Sequence, residues 1–192
     1  MLSKRQDEII EKSIQIIDEK GIQGLTIKNL SKAIGISEPA IYRHFDSKFD
    51  ILCTVLNGFK EDLMQRVQIL EQDKSEPLIK MQNFYTQVLH RLANNPSLVS
   101  VIFSEEIFQN EARLTNKVME IQQMNEEIVK GMLMKLKQAK QIPETTNIEI
   151  FTILFFGSMR QLVRQWKFNG HDFNLVEKGN ILFSTLIQTL KH

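Results

Sequence analysis

Between Thr26 and Lys48 the chain gathers side chains of the kinds that grip a nucleic-acid duplex. Arg43 carries a planar fork of donors that matches the paired acceptors on the major-groove edge of guanine. Base-edge reading falls to Arg43 and to the leading residues Glu38, Pro39 and Ala40. Glu38 has the charge to accept from cytosine N4, a plain exposed carboxylate being the alternative. Thr26, Lys28, Tyr42, His44 and Lys48 donate hydrogen bonds suited to phosphate oxygens, and helix starts at Thr26 and Ser37 would add favourable dipoles. This is the chemistry of recognition, not of bond-making. No Ser-His-Asp or Cys-His set, glycine-rich phosphate loop or metal-ligand spacing stands in the chain, and His44 has no neighbour at ligand distance along it. Glu105 and Glu106 are adjacent, so on a helix they do not share a face. An enzyme is not expected, nor a metal or a cofactor.

Those side chains need two short helices to carry them. Thr26 is suited to cap a helix, after which Ile27, Leu30 and Ile34 fall on one face. Gly35 can take the positive φ of a helix stop. Ser37 is suited to cap a second helix, with Pro39 in its first turn, where a missing N–H is harmless. Ile41 and Phe45, at i and i+4, turn inward and leave Glu38, Ala40, Tyr42, Arg43 and His44 on the other face. Two helices about a tight glycine turn describe a helix-turn-helix, whose second helix enters the major groove. Residues 3–20 supply a third helix with Ile9, Ile10, Ser13, Ile14, Ile16 and Ile17 as its apolar stripe, bracing the pair from behind. The DNA-binding unit is thus placed at residues 1–46. From Lys20 to Lys48 five cations stand against two carboxylates, a basic patch inside a chain whose net charge is only +1.

Helical spacing continues to the end, with no strand alternation, repeat or low-complexity stretch. Helices are expected over residues 47–72, 77–94, 97–108, then to about 140, 147–168 and 174–191, making about nine in an all-α fold. Ser47 or Asp46 caps the first of these, and Cys53 on it reads as a small core residue, a redox sensor being the alternative that the lack of a second thiol disfavours. The segment from Ile150 to Met159 is apolar nearly all round, so it needs partners on more than one side. Two such helices paired across a two-fold axis would give a four-helix interface between copies, with Phe155, Leu162, Leu182 and Leu186 as candidates. Soft side chains are plentiful in this half, and Met81, Phe84, Phe103, Met119, Met159 and Trp166 are candidates for lining an effector pocket, plain core being the alternative for each. Gln87, His90, Arg91, Glu105, Glu106, Arg160 and Gln165 could anchor a polar group there.

The run Gly21-x-x-Gly24-Leu25-Thr26-Ile27, then Ala33-Ile34-Gly35-Ile36-Ser37, then Ile41-Tyr42-Arg43-His44-Phe45-x-Ser47-Lys48-Phe49-x-Ile51-Leu52 closely resembles the signature of TetR-family transcriptional regulators. The resemblance implies an N-terminal DNA-binding domain and a helical effector-binding and dimerisation body over residues 47–192, with residues 47–72 connecting the two. It implies a homodimer on a palindromic operator, half-sites about one turn (~34 Å) apart or a multiple. It implies, too, a pocket among helices five to eight for a small, mostly apolar or amphipathic effector, whose binding shifts the population away from the DNA-binding state. A second stretch, Asn95-Pro96-Ser97-Leu98 with Phe103-x-x-x-Ile107-Phe108-x-x-Glu111, resembles family members that protect the nucleoid from division. That leaves a protein partner as the alternative to a small effector.

Hydrophobic content of 42% and charged content of 24% over 192 residues are those of an ordinary soluble protein able to bury a sizeable core. A single cysteine rules out an internal disulfide framework and suits the cytoplasm. No run approaches the ~18 apolar residues of a membrane span, and no signal peptide is expected at the start.

Overall fold

Ser3 opens the first helix with a capping box, a Ser-x-x-Gln pattern written in the sequence. The Gln6 amide donates to Ser3 Oγ (3.3 Å) while the Ser3 amide donates to Gln6 Oε1 (3.0 Å). In this computed structural model, which describes residues 2–102 and 112–190, α1 (Lys4–Gly24) loses helical geometry at Gly21, where φ is 68°. There follow α2 (Ile27–Ile34), α3 (Glu38–Tyr42), α4 (Lys48–Gln72), α5 (Pro77–Asn94) and α6 (Pro96–Ile102). The last three are α7 (Ala112–Gln138), α8 (Ile148–Phe168) and α9 (Leu175–Thr189). The described residues thus form nine helices and no strand, and none of those helices is long and apolar enough to cross a membrane.

Local chemistry accounts for most of the boundaries. Ser47, not Asp46, caps α4: the Asp50 amide donates to Ser47 Oγ (3.2 Å), and the Ser47 hydroxyl donates to the Asp50 carboxylate (2.8 Å). Helix α7 stops short of the expected residue 140 because Lys140 turns to φ 56°, letting the Gln141 amide reach back to the Leu136 carbonyl (2.9 Å). Of the helix expected over residues 97–108, Pro96–Ile102 is described; Phe103, Glu105, Glu106, Ile107 and Phe108 lie outside the described residues.

Packing divides the chain into two compact units, Met1–Asp62 with Pro96–Ile121, and Leu63–Asn95 with Gln122–His192. In the first, Ile9, Ile16 and Ile17 of α1 share one buried cluster with Leu30, Ile41 and Phe45, and the cluster runs on to Ile51, Leu52 and Cys53 of α4. Helix α6 packs against α1, where the Ser97 hydroxyl donates to one oxygen of Asp18 (3.0 Å) and the Ser100 hydroxyl to the other. In the second unit α5 and α8 both pack on α9. The contact with α5 is close at Gly179, and Thr86 Oγ1 donates to Asn180 Oδ1 beside it (2.6 Å).

Candidate nucleic-acid interface

Helix α2 and the turn after it are fixed by three local features. Thr26 Oγ1 accepts from the Asn29 amide (3.1 Å), and Asn29 Nδ2 in turn donates to the Gly24 carbonyl (2.8 Å), so the start of α2 is tied on both sides. At the other end Gly35 takes φ 78°, and the amides of Gly35 and Ile36 both donate to the Ser31 carbonyl (2.9 and 3.0 Å). Only a residue comfortable in the left-handed region closes α2 this tightly.

Ser37 stands at the N-cap of α3, yet its hydroxyl takes no capping bond, contrary to its expected role. The Ala40 and Ile41 amides donate to its carbonyl instead (2.9 and 3.3 Å), which leaves the side chain exposed. Ile41 is wholly buried and Phe45 nearly so, as the i, i+4 spacing requires. Glu38, Pro39, Tyr42 and Arg43 are exposed beyond them, with Ala40 and His44 half-buried. Helix α3 is one residue shorter than needed to carry Arg43 within it: Arg43 is its C-cap, and His44 belongs to the following turn, its amide on the Ile41 carbonyl (2.9 Å). Gln6 of α1 donates to the His44 carbonyl (3.4 Å), holding that turn against the bracing helix.

Lys28 is exposed on α2. Lys48, at the first position of α4, sits at the positive end of a helix dipole, where a cation is unfavourable unless an anion lies nearby. Its ammonium donates to the Ile22 carbonyl in the last turn of α1 (3.1 Å), and burial lowers its pKa. One of the three ammonium protons is thereby committed to that carbonyl. Sequence reasoning missed Gln6 and Asn29, whose partners are backbone carbonyls at the far side of a turn. The Ser3-x-x-Gln6 pattern was the one readable signal.

In the second unit Met81, Phe84, Met159 and Trp166 are all buried. Met119 is 63% exposed on α7, in the part of that helix that belongs to the first unit. Phe103 lies outside the described residues. Of the polar candidates, Gln87, His90, Arg160 and Gln165 are exposed, while Arg91 is half-buried with its pKa lowered by that burial. Tyr85, absent from the sequence candidates, is buried, and its hydroxyl has no hydrogen-bond partner among the described residues.

Two of the residues expected at a dimer face, Phe155 and Leu162, are buried within their own unit. Phe155 is buried against Tyr85 (ring centroids 5.2 Å apart), and Leu162 is buried beside Gly179. Both serve the unit's own core; Leu182 and Leu186 are half-buried. The outer apolar residues of these two helices are instead Ile150, Ile153, Leu154 and Ile181, with Ile153 67% exposed.

Residues 9–53 match the family described as "Bacterial regulatory proteins, tetR family", and residues 56–189 match "YsiA-like protein, C-terminal region". Among curated relatives, the "Fatty acid metabolism regulator protein" of Bacillus subtilis is 25% identical over 183 residues, 94% of this chain and 92% of that protein. The "Nucleoid occlusion factor SlmA" of Vibrio cholerae is 25% identical over 165 residues, 83% of this chain and 84% of that protein. Among solved structures, the transcriptional regulator FadR from Bacillus subtilis in complex with stearoyl-CoA shares the fold with a TM-score of 0.81, at 22% identity and covering 94% of this chain and 97% of that one.

Proposed function

Because the chain belongs to the TetR family of bacterial DNA-binding transcriptional regulators, we propose that it is a dimeric repressor, released from a palindromic operator by a fatty-acyl thioester. The observation that carries the DNA half is the exposed row Glu38, Pro39, Tyr42 and Arg43, on a short helix and its C-cap, with Ile41 of that helix and Phe45 of the turn after it locked into the core of α1, α2 and α4. In this reading residues 1–46 bind DNA. Arg43 reads a guanine, Glu38, Pro39 and Ala40 meet neighbouring base edges, and Thr26, Lys28, Ser37, Tyr42, His44 and Lys48 hold phosphates.

Residues 47–192 bind the effector and pair the two copies. The outer apolar residues Ile150, Ile153, Leu154 and Ile181 form the two-fold contact, which sets the recognition helices at the half-site spacing. The match of residues 56–189 to a C-terminal family, and the near full-length likeness to a fatty acid metabolism regulator, support an effector that is amphipathic, an apolar chain on a polar head. Such a ligand acts by binding one state of the body better than the other, and by linkage it weakens DNA binding as much as DNA weakens its own binding. The protein works where its operator is, in the cytoplasm.

The likeness to nucleoid occlusion factors favours one alternative, a DNA-bound protein whose body docks a protein partner. Titration of the protein–operator complex with acyl-CoA thioesters of increasing chain length, with free CoA as control, separates the two. Release that strengthens with chain length supports the repressor. A complex indifferent to every thioester contradicts it.

A further inference from the structure

Tyr85 stands on the inner face of α5 with no exposed surface, between Phe155 of α8, edge-to-face at 5.2 Å, and Phe183 of α9 at 5.3 Å. Its hydroxyl has no hydrogen-bond partner among the described residues. Other buried hydroxyls among the described residues are satisfied by their own helices: Ser13 donates to the Ile9 carbonyl (2.7 Å), Thr152 to Ile148 (2.7 Å) and Ser31 to Lys28 (3.0 Å). Tyr85 is too far from its own backbone to do the same, since the ring holds the hydroxyl away from the helix. A buried donor without an acceptor lowers stability, and phenylalanine would fill the space without that cost. The hydroxyl therefore points to an acceptor that comes from elsewhere.

The surroundings specify that acceptor. Met81 and Leu89, one turn either way on α5, are fully buried, and Met159 lies one turn beyond Phe155 on α8. Aromatic and aliphatic walls give a phosphate or carboxylate no counter-charge, whereas they suit an uncharged oxygen carried on an apolar chain. Burial pushes the phenol up to about 12, so it is a neutral donor at any physiological pH. The unbranched side chains Met81 and Met159 change shape at low cost to admit a chain among the rings. We infer that the Tyr85 hydroxyl is the polar anchor of the effector site, donating its hydrogen bond to the acyl carbonyl oxygen of a fatty-acyl thioester whose chain lies among the side chains of α5, α8 and α9. This rests on the acyl-effector reading above and names the atom that the site recognises.

The test is a two-by-two comparison on the full chain. Wild type and Tyr85→Phe are each titrated calorimetrically with palmitoyl-CoA and with S-hexadecyl-CoA, the thioether that lacks only the carbonyl oxygen. Wild type should bind the thioester about two- to tenfold more tightly than the thioether, the range of one neutral hydrogen bond. Tyr85→Phe should bind both alike, at the weaker level. Without ligand its thermal midpoint should equal or exceed that of wild type. A variant that keeps the preference for the thioester places the carbonyl elsewhere and overturns the inference, while the effector reading stands. A variant less stable than wild type without ligand gives the hydroxyl a structural partner and overturns it too. Wild type that binds neither ligand sinks the inference together with the reading beneath it.

Discussion

The close approach of α5 and α9, which brings Phe183 to Tyr85, depends on Gly179 having no side chain. A Cβ at Gly179 would lie 2.0 Å from Leu89 Cδ1 and 3.5 Å from Leu162 Cδ2. Leu89 is fully buried, so its methyl group cannot swing into solvent to make room. Forcing an extra carbon into a packed core costs about 1–3 kcal/mol, while alanine gains about 1 kcal/mol over glycine in a helix interior. Gly179→Ala should therefore be neutral to about 2 kcal/mol destabilising. Gly131→Ala on α7 is the matched control, because nothing lies within 4 Å of a Cβ there, and it should stabilise by about 1 kcal/mol. The helix-propensity gain is common to both, so the gap of about 1–3 kcal/mol between the variants measures the clash alone. Urea unfolding at one fixed protein concentration reads it as a difference in midpoint of roughly 0.5–1.5 M for a slope near 2 kcal/mol/M. In a Leu89→Ala background the same Gly179→Ala change should turn favourable, since the added methyl then fills space left by the leucine. Gly179→Ala as stable as Gly131→Ala, or equally costly without Leu89, would refute the α5–α9 packing described here.

Gly35→Ala should cost about 1–2 kcal/mol because φ is 78° there, and Gly35→Asn less; both are read by denaturation, and operator affinity should fall in the same order. Thr26→Ala removes the cap on α2 and should lose about 1 kcal/mol in the same assay. Ile153→Glu places a charge at the centre of the proposed two-fold contact, so sedimentation should show the variant as monomer where wild type is a dimer; a monomeric wild type would contradict the interface. The phenol of Tyr85, raised from 10.0 to about 12, adds an alkaline dependence. Between those values the unfolded tyrosine loses its proton and the folded one keeps it, so stability should fall by up to about 1.4 kcal/mol per pH unit above pH 10, and less steeply in Tyr85→Phe.

What the sequence disclosed was whatever is encoded within one turn of chain. Thr26, Gly35 and the spacing of Ile27, Leu30 and Ile34 mark α2 because a cap, a positive φ and one apolar face are local properties, and α2 stands at Ile27–Ile34 with Gly35 at φ 78°. Ser37 looked like the same device, but its carbonyl took the amides that its hydroxyl was expected to take. The end of α3 was harder, since Phe45 faces inward whether it sits on a helix or in the turn after one. On α8 an all-round apolar run could not show which face meets its own core: Phe155 goes in and Ile153 stays out, a difference set by α5 and α9. Met119 and Met81 read alike as soft side chains, although one is exposed and the other wholly buried. The docking of α6 on α1 through Asp18 joins residues about eighty positions apart, and no periodicity announces it. Tyr85 was hidden for a different reason: an aromatic at helical spacing reads as core, and an unmatched hydroxyl shows only in three dimensions.

The central claim is that α3 reads DNA through Arg43 as one half of a two-fold pair. Selection of binding sites from a random duplex pool at near-physiological salt, with wild type and Arg43→Ala side by side, tests it most directly. The expected result is a palindromic motif with half-sites one helical turn apart or a multiple, and a loss of about 1–3 kcal/mol in the variant confined to one guanine of each half-site. No enriched motif, or salt-sensitive binding indifferent both to sequence and to Arg43, would contradict it.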